Sequence, residues 1–589
     1  MKFWAQNFIG YLELELYRDY DSVCNRFCLY KDSDVSKTKK MTGGEAMVLS
    51  AKANGIDTVF GLPGAQTYPI FDALYNLPEI KTIISRHEQG AAYMAYGYSK
   101  ATGKPGAFSV VPGPGVLNTT AALCTAAGGN VPLLCMTGQV PAEFLGKGRG
   151  HLHELSSQTG TLETIIKYAG HISDPSQTSS FINDAFRKMQ SGRPGPVSVE
   201  MCWDTMAQQW DVEMLPGNQV IDKPDIDKDS IKEAAELISK SKNIMIMSGA
   251  GAQHASEEVR ELSSLLGAAS TSLRSGRGVV SEDSDVGVSS AAARKLWNST
   301  DLLIGIGSRL EMQYMRWLSM MKYYDRSPPG WMGSVRPNAP KLIRIDIDPE
   351  EMTRLKPDVG IIADSVDGVS ELIKMVEKKG FKKGDLDRIS AVKAKMRTAI
   401  EKIQPQVSYL DVIRDVLPRD GFFVEELCQA GFTSYYGFPV YEPRTYVSSG
   451  YQGTLGFGFP TALGVKAAKP DKSVVSIIGD GGFMFAMPEL STAVQHKLGV
   501  ITVLFNNNSF GNVRRDQKDR FQSNIIGADL TNPDFMKTAE SFGVDGFQVK
   551  SPSEFKPILA KAIEKDHPAI IEVLIEKDSE TNPWKYIHG

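Results

Sequence analysis

The sequence predicts an α/β protein of three successive parallel-sheet domains, and three observations carry that reading. The chain has 589 residues, more than one hydrophobic core organises. Short apolar runs alternate with amphipathic stretches along it, the strand–helix–strand pattern that builds parallel sheets. Polar stretches divide this alternation into three blocks. With 42% apolar and 23% charged residues, the composition is that of an ordinary globular chain. A net charge of −4 gives no electrostatic reason to expect nucleic acid or an anionic membrane as a partner. No segment reaches the roughly 18 uninterrupted apolar residues of a membrane span.

The elements follow in chain order. Residues 1–40 lack the basic flank and apolar core of a signal peptide and carry too many acids for a mitochondrial presequence. They are read as an extension of unknown role, since domain-like patterning begins at Met41. The first domain, 41–205, has strands expected at 56–60 and 106–111 and a helix over 90–98. A polar stretch with Pro216 and Pro224 reads as a linker. The second domain, 226–385, has expected strands at 244–247, 302–306 and 342–347. A lysine-rich span, 374–402, leads to the third domain, 410–576, with strands at 474–478, 499–505 and 569–573. The six cysteines, Cys24, Cys28, Cys124, Cys135, Cys202 and Cys428, are too sparse for a disulfide framework. They read as thiols in a reducing compartment.

Chemistry concentrates at two strand ends of the third domain. The run 474–478 ends in Gly479-Asp480-Gly481-Gly482. Backbone amides at such a turn attract phosphate, glycines permit close approach, and Asp480 can hold a hard divalent cation. The run 499–505 ends in Asn506-Asn507-Asn508-Ser509. An Asn507 amide oxygen and a carbonyl near Ser509 complete an oxygen-only set suited to Mg²⁺. Either motif alone is an ordinary turn. Together, at this spacing, they match the thiamine diphosphate (ThDP) signature.

On these residues the chain resembles the ThDP-dependent decarboxylase and carboligase superfamily, and within it the acetolactate synthase large subunits. The resemblance spans nearly everything from Met41 to Glu576. It includes Arg86-His87-Glu88-Gln89-Gly90-Ala91-Ala92, Gly113-Pro114-Gly115 with Asn118, Thr137-Gly138-Gln139-Val140, Gly192-Arg193-Pro194-Gly195-Pro196-Val197, and the run from Tyr451 to Pro460. It implies three doubly wound domains: an amino-terminal pyrimidine-binding (Pyr) domain, a central domain, and a carboxyl-terminal diphosphate-binding (PP) domain. It also implies a homodimer or homotetramer with active sites between subunits, a 2-ketoacid as small-molecule substrate, and a cytoplasmic location. Glu88 is implied as the carboxylate that drives the cofactor's aminopyrimidine, and Leu455 as the residue that props its bent shape. Pro63, Gly64, Gly113, Asn118, Gly453, Phe510 and Gly511 fall at further cofactor-binding positions. Glu426, Leu427, Cys428 and Gln429 resemble the diphosphate cradle, with Cys428 where the family has glycine and Gly431 restoring some flexibility.

Departures cluster where substrates are held. Leu152-His153-Glu154 stands where synthases carry Phe-Gln-Glu, and His153 is a candidate proton donor to the bound intermediate or a solvent-facing loop residue. Glu311-Met312-Gln313 lacks the arginine that helps hold a second ketoacid. Asp516 replaces a substrate-selecting tryptophan, with Arg514 and Arg515 just before it as an anion-binding or merely solvated pair. Val111-Pro112 stands where the family has Thr-Ser. In the central domain Arg309, Asp346 and Asp364 resemble FAD-binding positions, yet Gly287-Val288-Ser289-Ser290 replaces the flavin-lining motif. FAD, another nucleotide, or a plain strand-end helix cap at Asp346-Ile347-Asp348-Pro349 all remain open.

The leading expectation is ThDP- and Mg²⁺-dependent decarboxylation of a 2-ketoacid with carboligation. A non-ligating decarboxylase of benzoylformate or oxalyl type, and a catalytically silent ThDP-binding homologue, are the alternatives. A nicotinamide dehydrogenase is excluded because Gly249-Ala250-Gly251 lacks the third glycine of the dinucleotide fingerprint.

Overall fold

The computed structural model describes residues 38–217, 221–310, 317 and 339–587. Three parallel sheets, with helices between their strands, organise these residues. The first contains β2 (Thr58–Gly61), β3 (Lys81–Ile84), β4 (Gly106–Val110), β5 (Leu133–Gln139), β6 (Tyr168–His171) and β7 (Val197–Cys202), in the order β3-β2-β4-β5-β7-β6. Beside it, β1 (Lys39–Thr42) and β8 (Gln209–Val212) form a separate antiparallel pair. The central sheet runs β10-β9-β11-β12-β13, from β9 (Ile244–Ser248), β10 (Ala269–Thr271), β11 (Leu302–Ile306), β12 (Lys341–Asp346) and β13 (Val359–Ile362). The third sheet comprises β14 (Phe422–Glu425), β15 (Tyr446–Val447), β16 (Val474–Gly479), β17 (Val500–Asn506), β18 (Asp545–Val549) and β19 (Ala569–Leu574), in the order β15-β14-β16-β17-β19-β18.

The first and third sheets therefore share one topology, strand for strand. This correspondence makes the turn after β4, Gly113-Pro114-Gly115, the counterpart of Gly479-Asp480-Gly481 after β16. Both lie at the carboxyl end of a strand beside the point where strand order reverses, the place where open α/β sheets collect ligands. Central strands such as β4, β5, β7 and β11 are buried along their whole length, which explains the continuous apolar run Leu302–Ile306 of β11.

The two related domains also share a core. The helix Glu88–Thr102, after β3, packs against the helix Gly458–Ala468, after β15. Small residues permit this: a Cβ on Gly97 would lie 2.0 Å from the Thr461 carbonyl oxygen, and one on Gly464 would lie 1.9 Å from that of Met94. Tyr93 and Tyr96 both meet Phe457 edge to face, with ring centroids 5.4 Å apart. The helix ends at Gly103, whose φ of 75° suits a left-handed cap.

The lysine-rich span that leads to the third domain is largely helical. Helices Ser365–Lys379 and Leu386–Ile400 occupy it, and Ile389, Met396 and Ile400 of the second are buried in a core that the central and third domains share. Among the described residues no helix is long and apolar enough to cross a membrane. Residues 1–37, including Cys24 and Cys28, and the stretch Glu311-Met312-Gln313 lie outside the described residues.

Candidate active site

The third domain contributes a cavity of about 230 Å³ at the carboxyl ends of β14, β16 and β17. Asp480 opens the short helix Asp480–Phe483, and its buried carboxylate accepts a hydrogen bond from Asn532 Nδ2 at 2.7 Å. Burial raises the Asp480 carboxyl above its ordinary range, with that hydrogen bond acting in the opposite sense. The two asparagines divide their work. Asn506 donates its amide to Glu572 at 2.7 Å, holding β17 to β19. Asn507 lines the cavity; its Oδ1 accepts the Ser509 amide at 3.1 Å and hydroxyl at 2.8 Å.

Leu427, Cys428, Gln429, Leu455, Gly479, Asp480, Gly481, Gly482, Asn507, Ser509, Phe510 and Gly511 all line this cavity. The glycines are demanded by packing: a Cβ on Gly481 would sit 2.3 Å from the Phe510 ring, and one on Gly511 would lie 2.9 Å from Asn507 Nδ2. Gly453 lies just outside the lining, against Leu427.

Glu426 differs from its expected place. Its carboxylate is turned from the cavity and accepts the backbone amides of Gly456 at 2.8 Å and Gly458 at 2.6 Å. It therefore pins the turn that carries Leu455. Burial pushes its carboxyl up to about 8, and the two amides lower it. Gly431 is also not a source of flexibility. It lies within the helix Gln429–Gly437, where a Cβ would strike the Glu426 carbonyl oxygen at 1.9 Å. Cys428 caps that helix, its sulfur accepting the Gly431 amide at 3.3 Å.

The first domain gathers a second set. Glu88 begins the helix after β3 and accepts Asn118 Nδ2 on Oε2 at 3.0 Å. Exposed Pro63 and half-buried Gly64 follow β2, and a Cβ on Gly64 would lie 2.3 Å from Val111. Gly115 is wedged between Val111 and Glu88, and Gly113 (φ 60°) presses on the His153 carbonyl. His153 itself has a φ of 65°. Its Nδ1 faces Gln66 Oε1 at 2.8 Å, while Gln66 Nε2 donates to the Leu152 carbonyl at 2.8 Å. With the Gln66 amide committed in that sense, Nδ1 carries the ring proton and Nε2 is the free nitrogen. Neither Glu88 nor His153 lines the Asp480 cavity, so one chain holds the two sets apart.

The basic pair resolves into two roles. Arg514 is paired with Asp529 at 2.8 Å and Asp578 at 3.2 Å. Arg515 donates to Gln429 Oε1 at 2.9 Å, and Asp516 lies 3.6 Å from Arg520.

A larger groove of about 460 Å³ separates the first and central domains, and Arg309, Asp346 and Asp364 line it. Arg309 lies over the Tyr451 ring and donates to its hydroxyl at 3.1 Å. Burial lifts Asp346 to about 6. Asp364 is held at about 2, chiefly by its 2.9 Å hydrogen bond from His254. Asp348 caps the helix Pro349–Arg354. Gly287-Val288-Ser289-Ser290 lies away from the groove, with Ser289 capping the helix Ser290–Leu296.

Sequence reasoning passed over three residues. Asn532, in a Thr-Asn-Pro turn, supports Asp480. Glu580 and Trp584 come from the tail beyond the last strand: Glu580 lines the cavity and accepts Asn507 Nδ2 at 2.8 Å, and Trp584 donates to Asn512 at 2.7 Å. Burial pushes Glu580 up to about 7. A turn asparagine and a polar tail carry no periodic signal that would have marked them.

Comparison with known proteins follows the same three-part division. The amino-terminal TPP binding domain of thiamine pyrophosphate enzymes matches residues 41–161, the central domain residues 231–372, and the carboxyl-terminal TPP binding domain residues 428–573. A probable acetolactate synthase large subunit of Methanococcus aeolicus is 30% identical, over 92% of this chain and 93% of its own. The acetolactate synthase isozyme 1 large subunit of Escherichia coli K12 is 29% identical, over 93% and 96%. A probable 2-ketoarginine decarboxylase of Pseudomonas aeruginosa is 28% identical, over 91% and 94%. The chain belongs to the thiamine pyrophosphate enzyme family, among proteins that resemble acetolactate synthase large subunits.

Proposed function

We propose that the chain is an acetolactate synthase-like enzyme that uses ThDP and Mg²⁺ to decarboxylate a 2-ketoacid and join the product to a second carbonyl compound. The observation that carries this reading is the convergence of Asp480, Asn507 and Ser509 on a cavity framed by glycines. Their oxygen-only donor chemistry fits a hard cation, and a Cβ on Gly511 would enter the same space. Asp480, Asn507 and Ser509 would hold the metal, and the backbone around Gly479–Gly482 the diphosphate.

When bound, ThDP supplies an acidic carbon that becomes the nucleophile and a ring that takes up the electrons of the departing carboxylate. The chain's residues prepare that chemistry. Glu88, steadied on Oε2 by Asn118, keeps Oε1 available to hold a proton. Leu455 supplies an apolar wall. His153, with its proton on Nδ1, presents Nε2 as the nitrogen that can accept a proton and, once protonated, return it.

Two copies would complete the site. Glu88 stands outside the cavity of its own chain, and exposed apolar residues flank both sets. Leu117 and Leu152 lie near Glu88 and His153, while Met484 and Phe485 directly follow the Asp480 helix. An apolar patch at such a place marks an interaction surface, and a dimer or tetramer would cover it. The larger groove is proposed to take a nucleotide, with FAD as the case to test by its visible absorbance. Sparse cysteines favour a cytoplasmic setting.

A non-ligating decarboxylase is the second reading, favoured by His153 where synthases of this type carry glutamine. A panel of 2-ketoacids assayed for CO₂ release, with product analysis on pyruvate, separates the two. Acetaldehyde as sole product would remove the ligase reading, and no release from any ketoacid would remove both.

A further inference from the structure

Glu489 lies nine positions after Asp480 (489 − 480), yet its carboxylate serves the other half of the site. It is 1% exposed. Its Oε1 accepts the backbone amides of both Arg86 and His87 at 3.0 Å, and Thr492 donates its hydroxyl to Oε2 at 2.6 Å. Arg86 and His87 are the two residues immediately before Glu88. The same segment reaches further along this turn: His496 Nε2 accepts the Ile84 amide at 3.0 Å, and the Arg86 guanidinium donates to Gln495 Oε1 at 2.7 Å. Residues 489–496 thus form a template for the chain between β3 and the helix that Glu88 opens.

The fit is close from the other side too. A Cβ on Gly90 would lie 2.3 Å from Glu489 Oε1, so only glycine lets the first helical turn descend onto that carboxylate. A buried acid is costly unless several donors satisfy it, and two of the three donors to Glu489 are backbone amides next to Glu88. His87 also caps the helix, its Nδ1 accepting the Gln89 amide at 3.0 Å. The backbone on either side of Glu88 is therefore held, and its side chain has little freedom to wander.

We propose that Glu489 is a positioning residue for Glu88, fixing the turn that aims the proton-holding carboxylate. The proposal rests on the reading of Glu88 given above. It differs from a general structural role because Glu489 bonds to the turn before Glu88 and does not line the cavity of Asp480 and Asn507. Its loss misplaces one carboxylate while the residues available to hold metal and diphosphate keep their own partners.

The test uses the full-length holoenzyme with ThDP and Mg²⁺. Exchange of the bound cofactor's C2 proton with deuterium is measured by acid quench and proton NMR, and ThDP affinity by calorimetry. Glu489→Ala is expected to slow exchange by about ten- to a hundredfold, the loss that accompanies displacement by about 1 Å, with affinity unchanged. Glu489→Gln keeps one oxygen for the Arg86 and His87 amides, so its exchange rate should fall between Glu489→Ala and the parent. Should the alanine variant not fold, an exchange rate in Glu489→Gln equal to the parent's overturns the proposal. So does a Glu489→Ala enzyme that exchanges at the parental rate, or one that loses exchange only in step with cofactor affinity. A Glu88→Gln control separates the two claims. Parental exchange there overturns the reading of Glu88 itself, whereas slow exchange there beside fast exchange in Glu489→Ala overturns the positioning role alone.

Discussion

Asn507 is clamped by Glu580, which accepts its Nδ2 at 2.8 Å and so directs Oδ1 toward Ser509 and the cavity. An amide has two ends, and committing the nitrogen to a carboxylate decides where the oxygen points. The tail that carries Glu580 is anchored by Trp584, which packs at a tilt against Phe432 with centroids 4.7 Å apart. Groups that orient metal ligands typically contribute about ten- to a hundredfold in metal affinity. Glu580→Ala should therefore raise the Mg²⁺ concentration needed for ThDP binding by about tenfold. An unchanged Mg²⁺ midpoint in calorimetric titration would refute the clamp.

The buried acids of the third domain make stability depend on pH. Glu425 is fully buried beside Tyr435 and Arg274, and burial pushes its carboxyl to about 7 from an ordinary 4.5. Its folded pKa is raised, so the folded protein holds the proton more tightly than the unfolded chain. The associated stability is full below pH 4.5 and is lost as pH rises toward about 7. The loss amounts to about 3 kcal/mol at most. Glu425→Gln should flatten the fall in melting temperature across this window. An equally steep fall in the variant would mean that Glu425 is not its source.

Much of this arrangement was legible in the sequence because it rests on local signals. The runs at 244–247, 302–306 and 474–478 became strands within a residue or so, since a doubly covered parallel strand is mostly apolar. Gly479-Asp480-Gly481 and Asn507 stand where strand-end logic expects them. Glu426 falls in the cradle by resemblance alone; only the fold shows its oxygens taken by Gly456 and Gly458. The duplicated strand order of the first and third domains was hidden as well. It lies in topology, which two diverged sequences preserve without any shared short period.

The helix pair that joins these domains gives a sharp packing test. In Gly464→Ala the new methyl would meet the Met94 carbonyl oxygen at 1.9 Å, and in Gly97→Ala the Thr461 carbonyl oxygen at 2.0 Å. Backbone atoms on both sides leave no flexible side chain to move aside. Alanine's better helix propensity returns about 1 kcal/mol, less than the roughly 1–3 kcal/mol or more that overpacking costs. Each variant should unfold at lower denaturant than the parent. A midpoint at or above the parent's for Gly464→Ala would contradict the close approach.

His153 offers the most direct access to reaction outcome. Its φ of 65° is costly for most side chains but open to glycine, so His153→Gly removes the imidazole while relieving the backbone. The variant should match or exceed the parent in thermal stability, whereas His153→Ala, with a Cβ in the same left-handed region, should fall slightly below the glycine variant. Loss of the ring also leaves Gln66 Oε1 without its partner at 2.8 Å, a space that water can fill. If His153 Nε2 hands a proton to the reacting group, both variants shift the ratio of aldehyde to ligated product by about a hundredfold, the lower range of acid–base contributions. Chromatography of the products from pyruvate reads that ratio. Equal ratios in the parent and both variants would return His153 to a loop residue whose conformation is set by Gln66.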